Sequence, residues 1–319
     1  MANGGIIGPV QTVTSNTAVN RTTAFTSSGN FTAQAGTKEV DYLMVGGGGG
    51  GDNGECRARG GGGGGGLITS FPGGTKTVVP PSGVLAVVIG AGGSSGPASN
   101  SAAGTMTNGV NTTFNCLTAG GGGKGNAASP LGSGGGGPSY GNGPGQSGGP
   151  QGNNGGNGNC NSNTPVSGSF TFVAGGGGGA GGAGGNGTNP GETVTSGAGG
   201  AVATNAITGS TVSYAGGGSG AAQRFDPNPK GVAIGAATPT SGLGQMFGEA
   251  AAGAGSANTG GGGGGGTSTN PTSPRNATGG AGGSGHVVIR EYANTFRTAP
   301  GVWDMNTVYD NVKNGNWTN

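Results

Sequence analysis

Glu39-Val40-Asp41-Tyr42-Leu43-Met44-Val45 runs directly into Gly46 through Gly51, so a β-prone segment and six consecutive glycines share one unbroken stretch of chain. The same junction recurs along the sequence. Val87-Val88-Ile89 leads into Gly90-Ala91-Gly92-Gly93, and Phe114 to Ala119 leads into Gly120–Gly123. Phe170 to Ala174 leads into Gly175–Gly179, Val212 to Ala215 into Gly216–Gly218, and Ser256 to Thr259 into Gly260–Gly266. Two runs work in reverse: Gly60–Gly66 feeds Leu67-Ile68-Thr69, and the run ending at Gly285 feeds His286-Val287-Val288-Ile289-Arg290. The spacing between junctions is irregular, which excludes a fixed-period solenoid.

Glycine-rich chain ordinarily behaves as flexible linker. Ordering it costs roughly 1–2 kcal/mol per residue, so a seven-residue run alone would cost on the order of 10 kcal/mol. Runs packed side by side can offset that cost. In the polyproline-II geometry a chain has three residues per turn, no internal hydrogen bonds, and every N–H and C=O directed outward. Without Cβ atoms such helices can approach closely on all sides. Each bond between runs returns about 0.5–1.5 kcal/mol net. The purest runs are of similar length, about 15–22 Å at a rise of ~3.1 Å per residue, and each is fused to a strand that would hold its end in register. Both features favour an ordered lattice over linkers. Collagen is excluded, because glycine shows no strict three-residue period.

The composition agrees. Glycine supplies 88 of 319 residues, and only 7% are charged, against about 25% in an average globular domain. Apolar residues still amount to 30% and are clustered, enough for a small core. Strands are expected over Phe25–Phe31, Glu39–Val45, Leu67–Phe71, Thr75–Val79, Leu85–Ile89, Phe170–Val173 and Val287–Tyr292. Gly73-Gly74 and Pro80-Pro81-Ser82-Gly83 punctuate them as turns. The fold class that follows is mostly β: an antiparallel β-sandwich extended by a packed bundle of polyglycine-II helices. The first and last strands would close the sandwich. Segments at roughly 94–113, 138–165, 224–241 and 267–278, rich in Asn, Ser, Thr and Pro, are expected as loops at the ends of the bundle.

Three regions separate by composition: an N-terminal attachment or assembly segment over 1–24, the glycine-rich domain over 25–292, and a C-terminal segment over 293–319 with two tryptophans. In the last, Asp304 is a plausible N-cap. Met305, Val308, Tyr309 and Val312 follow at helical spacing, and Gly315 is a stop. A helix this short needs a partner to be stable. It would either cap apolar strand surface or attach to another protein. Ile6, Ile7, Val10, Trp303, Met305, Tyr309, Val312 and Trp317 are the candidate assembly residues.

Chemistry is sparse. The net charge is +2, and no basic stretch exists to neutralise phosphates, so no nucleic-acid partner is expected. The N-terminus has no basic and apolar leader pattern, and no stretch approaches the ~18 apolar residues of a membrane span. Cys56, Cys116 and Cys160 are odd in number and widely spaced, unlike a disulfide framework. The single histidine, His286, has no acidic or Cys cluster near it in sequence, so no metal is expected. Gly90-Ala91-Gly92, a fragment of the Gly-x-Gly-x-x-Gly pattern, lacks the βαβ context of a dinucleotide site. Gly123-Lys124-Gly125 lacks the Ser/Thr and helix of a phosphate loop. Glu39 and Asp41 would share one solvated strand face. The chain therefore reads as non-enzymatic and without cofactor. Binding, if any, falls to residues in loops: Tyr140, Arg224, Phe225, Lys230, Met246 and Phe247. Exposed aromatics beside polar groups suit a surface glycan or an outer-membrane protein, although Phe225, Met246 and Phe247 could equally fill gaps in a thin core.

The sequence also resembles a known class. Phe25-Thr26-Ser27-Ser28-Gly29-Asn30-Phe31-Thr32, Val40 to Val45 with its glycine run, Asn258-Thr259 before Gly260–Gly266, and Gly283-Ser284-Gly285-His286-Val287-Val288-Ile289-Arg290 resemble the glycine-rich domain of phage tail-fibre and virion proteins. The organisation is similar to tip adhesins of T-even-like long tail fibres, in which glycine runs form a polyglycine-II sandwich with receptor-binding loops at its end. Ile6-Ile7-Gly8-Pro9-Val10, Gly301-Val302-Trp303 and Asn314-Gly315-Asn316-Trp317 resemble segments of phage structural proteins. The resemblance implies a virion location, with other virion proteins or copies of the chain as partners. It departs in two places: the loops are not aromatic-rich, and the Trp-bearing tail is outside the adhesin plan. The alternatives are a self-assembling filament subunit or a capsid decoration protein.

Overall fold

The computed structural model describes residues 20–53, 58–95, 106–161, 170–189, 193–225, 232–246, 251–267, 278–292 and 313. The described residues form β1 (Arg21–Phe25), β2 (Gly29–Thr32), β3 (Glu39–Val45), β4 (Leu67–Thr69), β5 (Thr77–Val78), β6 (Val84–Val88), β7 (Thr112–Phe114) and β8 (Leu117–Ala119). After them come β9 (Asn159–Asn161), β10 (Phe170–Val173), β11 (Val194–Thr195), β12 (Ala203–Asn205), β13 (Val212–Tyr214), β14 (Ala222–Phe225), β15 (Val232–Ala233) and β16 (His286–Glu291). Their pairing is antiparallel except between β11 and β15.

Two sheets face each other over the main core. One has the order β1-β16-β3-β4, with β5 on the start of β3; the other has the order β2-β6-β7-β8. The first and last strands do pair, from Arg21 opposite Glu291 to Phe25 opposite Val287. Strand periodicity of two divides the side chains. Met44 and Val40 of β3, and Val287 and Ile289 of β16, meet Phe31, Leu85, Val87 and Phe114 of the second sheet. Leu43 and Val45, and Val288, turn to the other side and pack with Ile207, Tyr214 and Ala215 beside the β12–β13 hairpin. The central strands are therefore covered on both faces, which is why they read as continuous apolar runs rather than as alternation. Phe31 and Phe114 meet edge-on at 6.4 Å.

Several expectations need correction. Phe25–Phe31 is not one strand: β1 ends at Phe25 and β2 begins at Gly29, so Phe25 lies in one sheet and Phe31 in the other. The small polar Ser27-Ser28 makes the corner, and Ser28 Oγ accepts the Ile89 N–H at 3.0 Å. Ser256–Thr259 is a turn, with Asn258 at φ 60°, rather than a strand before its glycines. Asp41 is 3% exposed, not solvated. It lies buried between the hydroxyls of Ser70 (2.6 Å) and Tyr292 (2.5 Å), which both donate to it. The helix expected around Met305–Val312 lies outside the described residues.

The glycine segments are extended and ordered with a three-residue repeat. Along the run after β3, the N–H groups of Gly46, Gly49 and Asp52 donate to the carbonyls of Gly66, Gly63 and Gly60 at 2.8–3.0 Å. Gly47 and Gly50 donate to Val110 and Thr107, and Gly48 and Gly51 to Gly283 and Gly280. The partner numbers fall as the donors rise, so these three neighbours run antiparallel. The carbonyls accept from three others: Gly47 and Gly50 from Gly122 and Gly125, Gly48 from Gly93, and Gly49 and Asp52 from Gly263 and Gly266. Where two bonds reach one of these neighbours, the numbers rise together, so that neighbour runs parallel. One run thus has six hydrogen-bonded neighbours. Gly60–Gly66 repeats the arrangement, donating to segments around Gly175–Gly178, Gly260–Gly263 and Gly120–Gly123.

The packing explains the absence of side chains. A Cβ built on Gly46, Gly49 or Gly50 would lie 2.0–2.2 Å from a carbonyl oxygen of Gly120, Gly123 or Ser94. In place of Cβ, glycine directs a Cα hydrogen at that oxygen, a weak attractive contact. At several described positions a polar side chain accepts a glycine N–H in place of a neighbouring segment's carbonyl. Asn111 Oδ1 accepts the Gly121 N–H (2.8 Å), Gln151 Oε1 that of Gly120 (2.8 Å), and Thr112 Oγ1 that of Gly90 (3.0 Å). Parts of the expected loops at 94–113, 138–165 and 224–241 are therefore edges of the bundle. Thr107 and Val110 accept from the run after β3, and Gly155 donates to Gln146.

Candidate functional site

The bundle has two unlike ends. Glycine segments leave β3, β6 and β8 and enter β4, β7 and β16 at the sheet end. Their other tips, near Asp52, Arg59, Ser94, Thr107, Lys124 and Thr278, meet at the opposite end. There β14, β10 and β9 form a small three-stranded sheet over Ala58, Phe172, Ala174 and Ala221.

At this far end Asp52 and Arg59 meet, their carboxylate and guanidinium 3.6 Å apart. Burial pushes the Asp52 carboxyl up to about 6, against the opposing pull of Arg59 and Lys124.

At the same end lies a shallow, open polar cleft of about 520 Å³. It is lined by Asn142, Asn157, Asn159, Asn186, Thr188 and Asn189, with Gly158 and Gly187. The turn after Gly137 supplies Asn142, held there by Ser139, whose N–H and hydroxyl both donate to the Ala58 carbonyl. Asn157 and Asn159 come from the segment entering β9, and Asn186 and Asn189 from a neighbouring segment that donates from Gly187 to the Asn157 carbonyl. Three of the amides are fixed by backbone. Asn142 Oδ1 accepts from Cys160 N–H (2.7 Å), Asn157 Oδ1 from Gly145 N–H (2.8 Å), and Asn186 Oδ1 from Asn157 N–H (2.8 Å). Asn189 Nδ2 donates to Thr171 Oγ1 at 2.6 Å.

The residues singled out from sequence are distributed as follows. Tyr140 is 66% exposed, on the same turn as Asn142. Arg224 and Phe225 are not in a loop: they belong to β14, opposite Thr171 and Phe170. Met246 is half-buried and bridges Ala222 of the same strand. The topology thus carries these four to the far end. Lys230, Phe247, Ile6, Ile7, Val10, Trp303, Met305, Tyr309, Val312 and Trp317 lie outside the described residues. His286 is at the sheet end, stacked on Tyr214 with ring centroids 6.1 Å apart, and burial lowers its pKa. Cys116 and Cys160 are free thiols. Among the described residues no three His, Cys, Asp or Glu side chains are grouped to hold a metal, and no helix is long and apolar enough to cross a membrane.

The cleft asparagines escape a sequence reading that sorts Asn/Gly stretches as loops. A signal was present: Asn186 and Asn189 are three apart, the interval of the hydrogen-bond repeat along the glycine segments.

A family model described as a glycine-rich domain matches residues 23–292. The chain belongs to this glycine-rich domain family. The matched span runs from β1 to the residue after β16, and so takes in both facing sheets, the glycine segments and the cleft. No curated protein matches the chain.

Proposed function

We propose that the chain is a non-enzymatic phage virion component, a tail-fibre or adhesin subunit in which a polyglycine-II bundle extends a β-sandwich and presents a host-binding surface at its far end. The observation that carries this reading is the three-residue hydrogen-bond repeat with six neighbours per run. Three residues per turn without internal hydrogen bonds is the polyproline-II helix. Such a bundle spends its backbone polar groups on itself, and its glycines offer no side chains for chemistry. What it supplies is a stiff spacer that keeps one end apart from the other. Recognition then belongs to the non-glycine residues at the far end, Tyr140, Arg224, Phe225 and Met246 among them, with Lys230 and Phe247 nearby in sequence. The segments 1–24 and 293–319 are left to join other virion proteins or copies of the chain.

Imaging the purified chain and measuring its adsorption to a panel of bacterial strains tests the proposal. Discrete particles that bind some strains and block phage adsorption to them are expected. Long filaments without cell binding would replace it with a self-assembling filament subunit.

A further inference from the structure

We infer that the asparagine cleft at the far end is a binding site for a neutral saccharide. This deepens the reading of that end as a displayed surface and rests on it. Asn142, Asn157 and Asn186 are exposed, yet each has its Oδ1 engaged by a backbone N–H. That bond sets the plane of the amide. The Nδ2 groups of these three have no acceptor among the described residues and remain accessible in the cleft wall. Three pre-oriented donor groups therefore face a common space. Asn189 is the complement: its Nδ2 is taken by Thr171 Oγ1, which leaves its Oδ1 to accept. Thr188 adds a hydroxyl able to do either.

A ligand for this space needs many acceptors, at least one donor and no net charge. No charged residue lines the cleft, so a phosphate or carboxylate would lose its hydration with no cation to receive it. Sugar hydroxyls meet the requirement, since each both donates and accepts. Two residues from Asn142, Tyr140 offers a mostly exposed ring with a polar tip, suited to stack on the apolar face of a pyranose. Because the amides are held by the backbone, little side-chain freedom is lost on binding.

The substitution that tests this is Asn→Asp at 142, 157 and 186. Aspartate keeps the oxygen that receives the backbone N–H and replaces the Nδ2 donor with an acceptor. Methyl glycosides of glucose, galactose, mannose and N-acetylglucosamine are titrated into the intact chain by ligand-observed NMR, with sialyllactose as the anionic comparison. Saturable binding of at least one neutral glycoside is expected, weakened about tenfold by N157D and further in the triple variant, as expected when each substitution removes a hydrogen-bond donor. Y140A, altering a mostly exposed side chain, is expected to weaken binding with the fold intact. Absence of neutral glycoside binding, equal binding of sialyllactose, or unchanged affinity in the Asp variants would overturn the inference. If the triple variant adsorbs to cells as the parent does, the cleft is excluded while the display function stands. If the parent chain adsorbs to no strain, the display function itself fails.

Discussion

Asp52 and Arg59 face each other at 3.6 Å at the far ends of two buried, antiparallel glycine segments. Asp52 is 4% exposed and its main chain is bonded on both sides, donating to Gly60 and accepting from Gly266. Its carboxyl is nonetheless raised from 3.8 to about 6, because burial outweighs Arg59 and Lys124. The folded state therefore binds a proton more tightly than the unfolded chain. Stability from this group is present in full below about pH 4 and is lost as pH rises through about 6. Two pH units correspond to about 3 kcal/mol. Asp52→Asn removes the titration and is expected to raise the melting temperature at pH 7.5 more than at pH 4.5. Thermal melts of both proteins at the two pH values check this, and an equal effect at both would refute it.

The bundle makes a sharper prediction about volume. At Gly49 a methyl group would meet the Gly123 carbonyl oxygen at 2.1 Å, and at Gly63 that of Ser133 at 2.2 Å. Both obstacles are backbone, held by further hydrogen bonds, and cannot rotate away. Gly49→Ala and Gly63→Ala are expected to cost ~3 kcal/mol or more, the upper range for overpacking. Gly29 provides the control. In β2 its nearest neighbour would be Phe25 Cε1 at 4.0 Å, and alanine suits an extended backbone better than glycine. Gly29→Ala is expected to be neutral or slightly stabilising. Circular dichroism melts of the three variants decide the matter.

What could be read from sequence follows the same physics. β3 and β10 have their expected limits, and β16 is displaced by one residue, because apolar side chains covered on both faces leave continuous hydrophobic runs. The junctions at Val45, Ala119 and Ala215 were visible for the same reason. The edges of the bundle were not. Asn108, Asn111 and Gln151 look like loop residues, yet their side chains accept from Lys124, Gly121 and Gly120 in place of an absent neighbour. That substitution depends on position in the bundle, which composition does not encode. Tyr140 was recognisable as a lone aromatic in a polar stretch. Its asparagine neighbours were hidden by the same polar background.

The two carboxylates at the ends of the main sheet are predicted to differ in weight. Glu291 is fully buried and receives Arg21 Nε (2.5 Å), the Gln34 N–H (2.7 Å) and Thr37 Oγ1 (3.3 Å). It thereby ties β16 to β1 and to the turn after β2. Glu39 meets Lys76 at 2.8 Å, with both side chains substantially in solvent. Hydrogen bonds to a buried charge are worth about 1.5–3 kcal/mol, and exposed pairs ~0–1 kcal/mol. Glu291→Ala is expected to destabilise by ~3 kcal/mol. Arg21→Ala should cost less, since the guanidinium is partly exposed and two other donors remain. Lys76→Ala should leave the melting temperature nearly unchanged. Urea unfolding of the three variants measures the order; an equal loss from K76A would contradict it.

Hydrogen exchange separates an ordered bundle from tethered linkers most directly. Glycine amides in flexible chain exchange freely, since neither structure nor side chain shields them. In the segments Gly46–Gly51 and Gly61–Gly66 every N–H is donated to a carbonyl of another segment, and these glycines are buried. Opening one of them requires separating it from six neighbours at once, so local fluctuation is not available. Their exchange is expected to need global unfolding, with protection equal to that of β3 and β16. The exposed turn at Thr208–Thr211 supplies the fast reference within the same molecule. Mass-spectrometric exchange of peptides covering 39–53, 58–70 and 203–214 makes the comparison. Protection in the glycine segments as low as in that turn would remove the basis for an ordered bundle. Protection matching β3 would mean that the residues least able to stabilise a fold by their side chains are as resistant as its central strand through backbone alone.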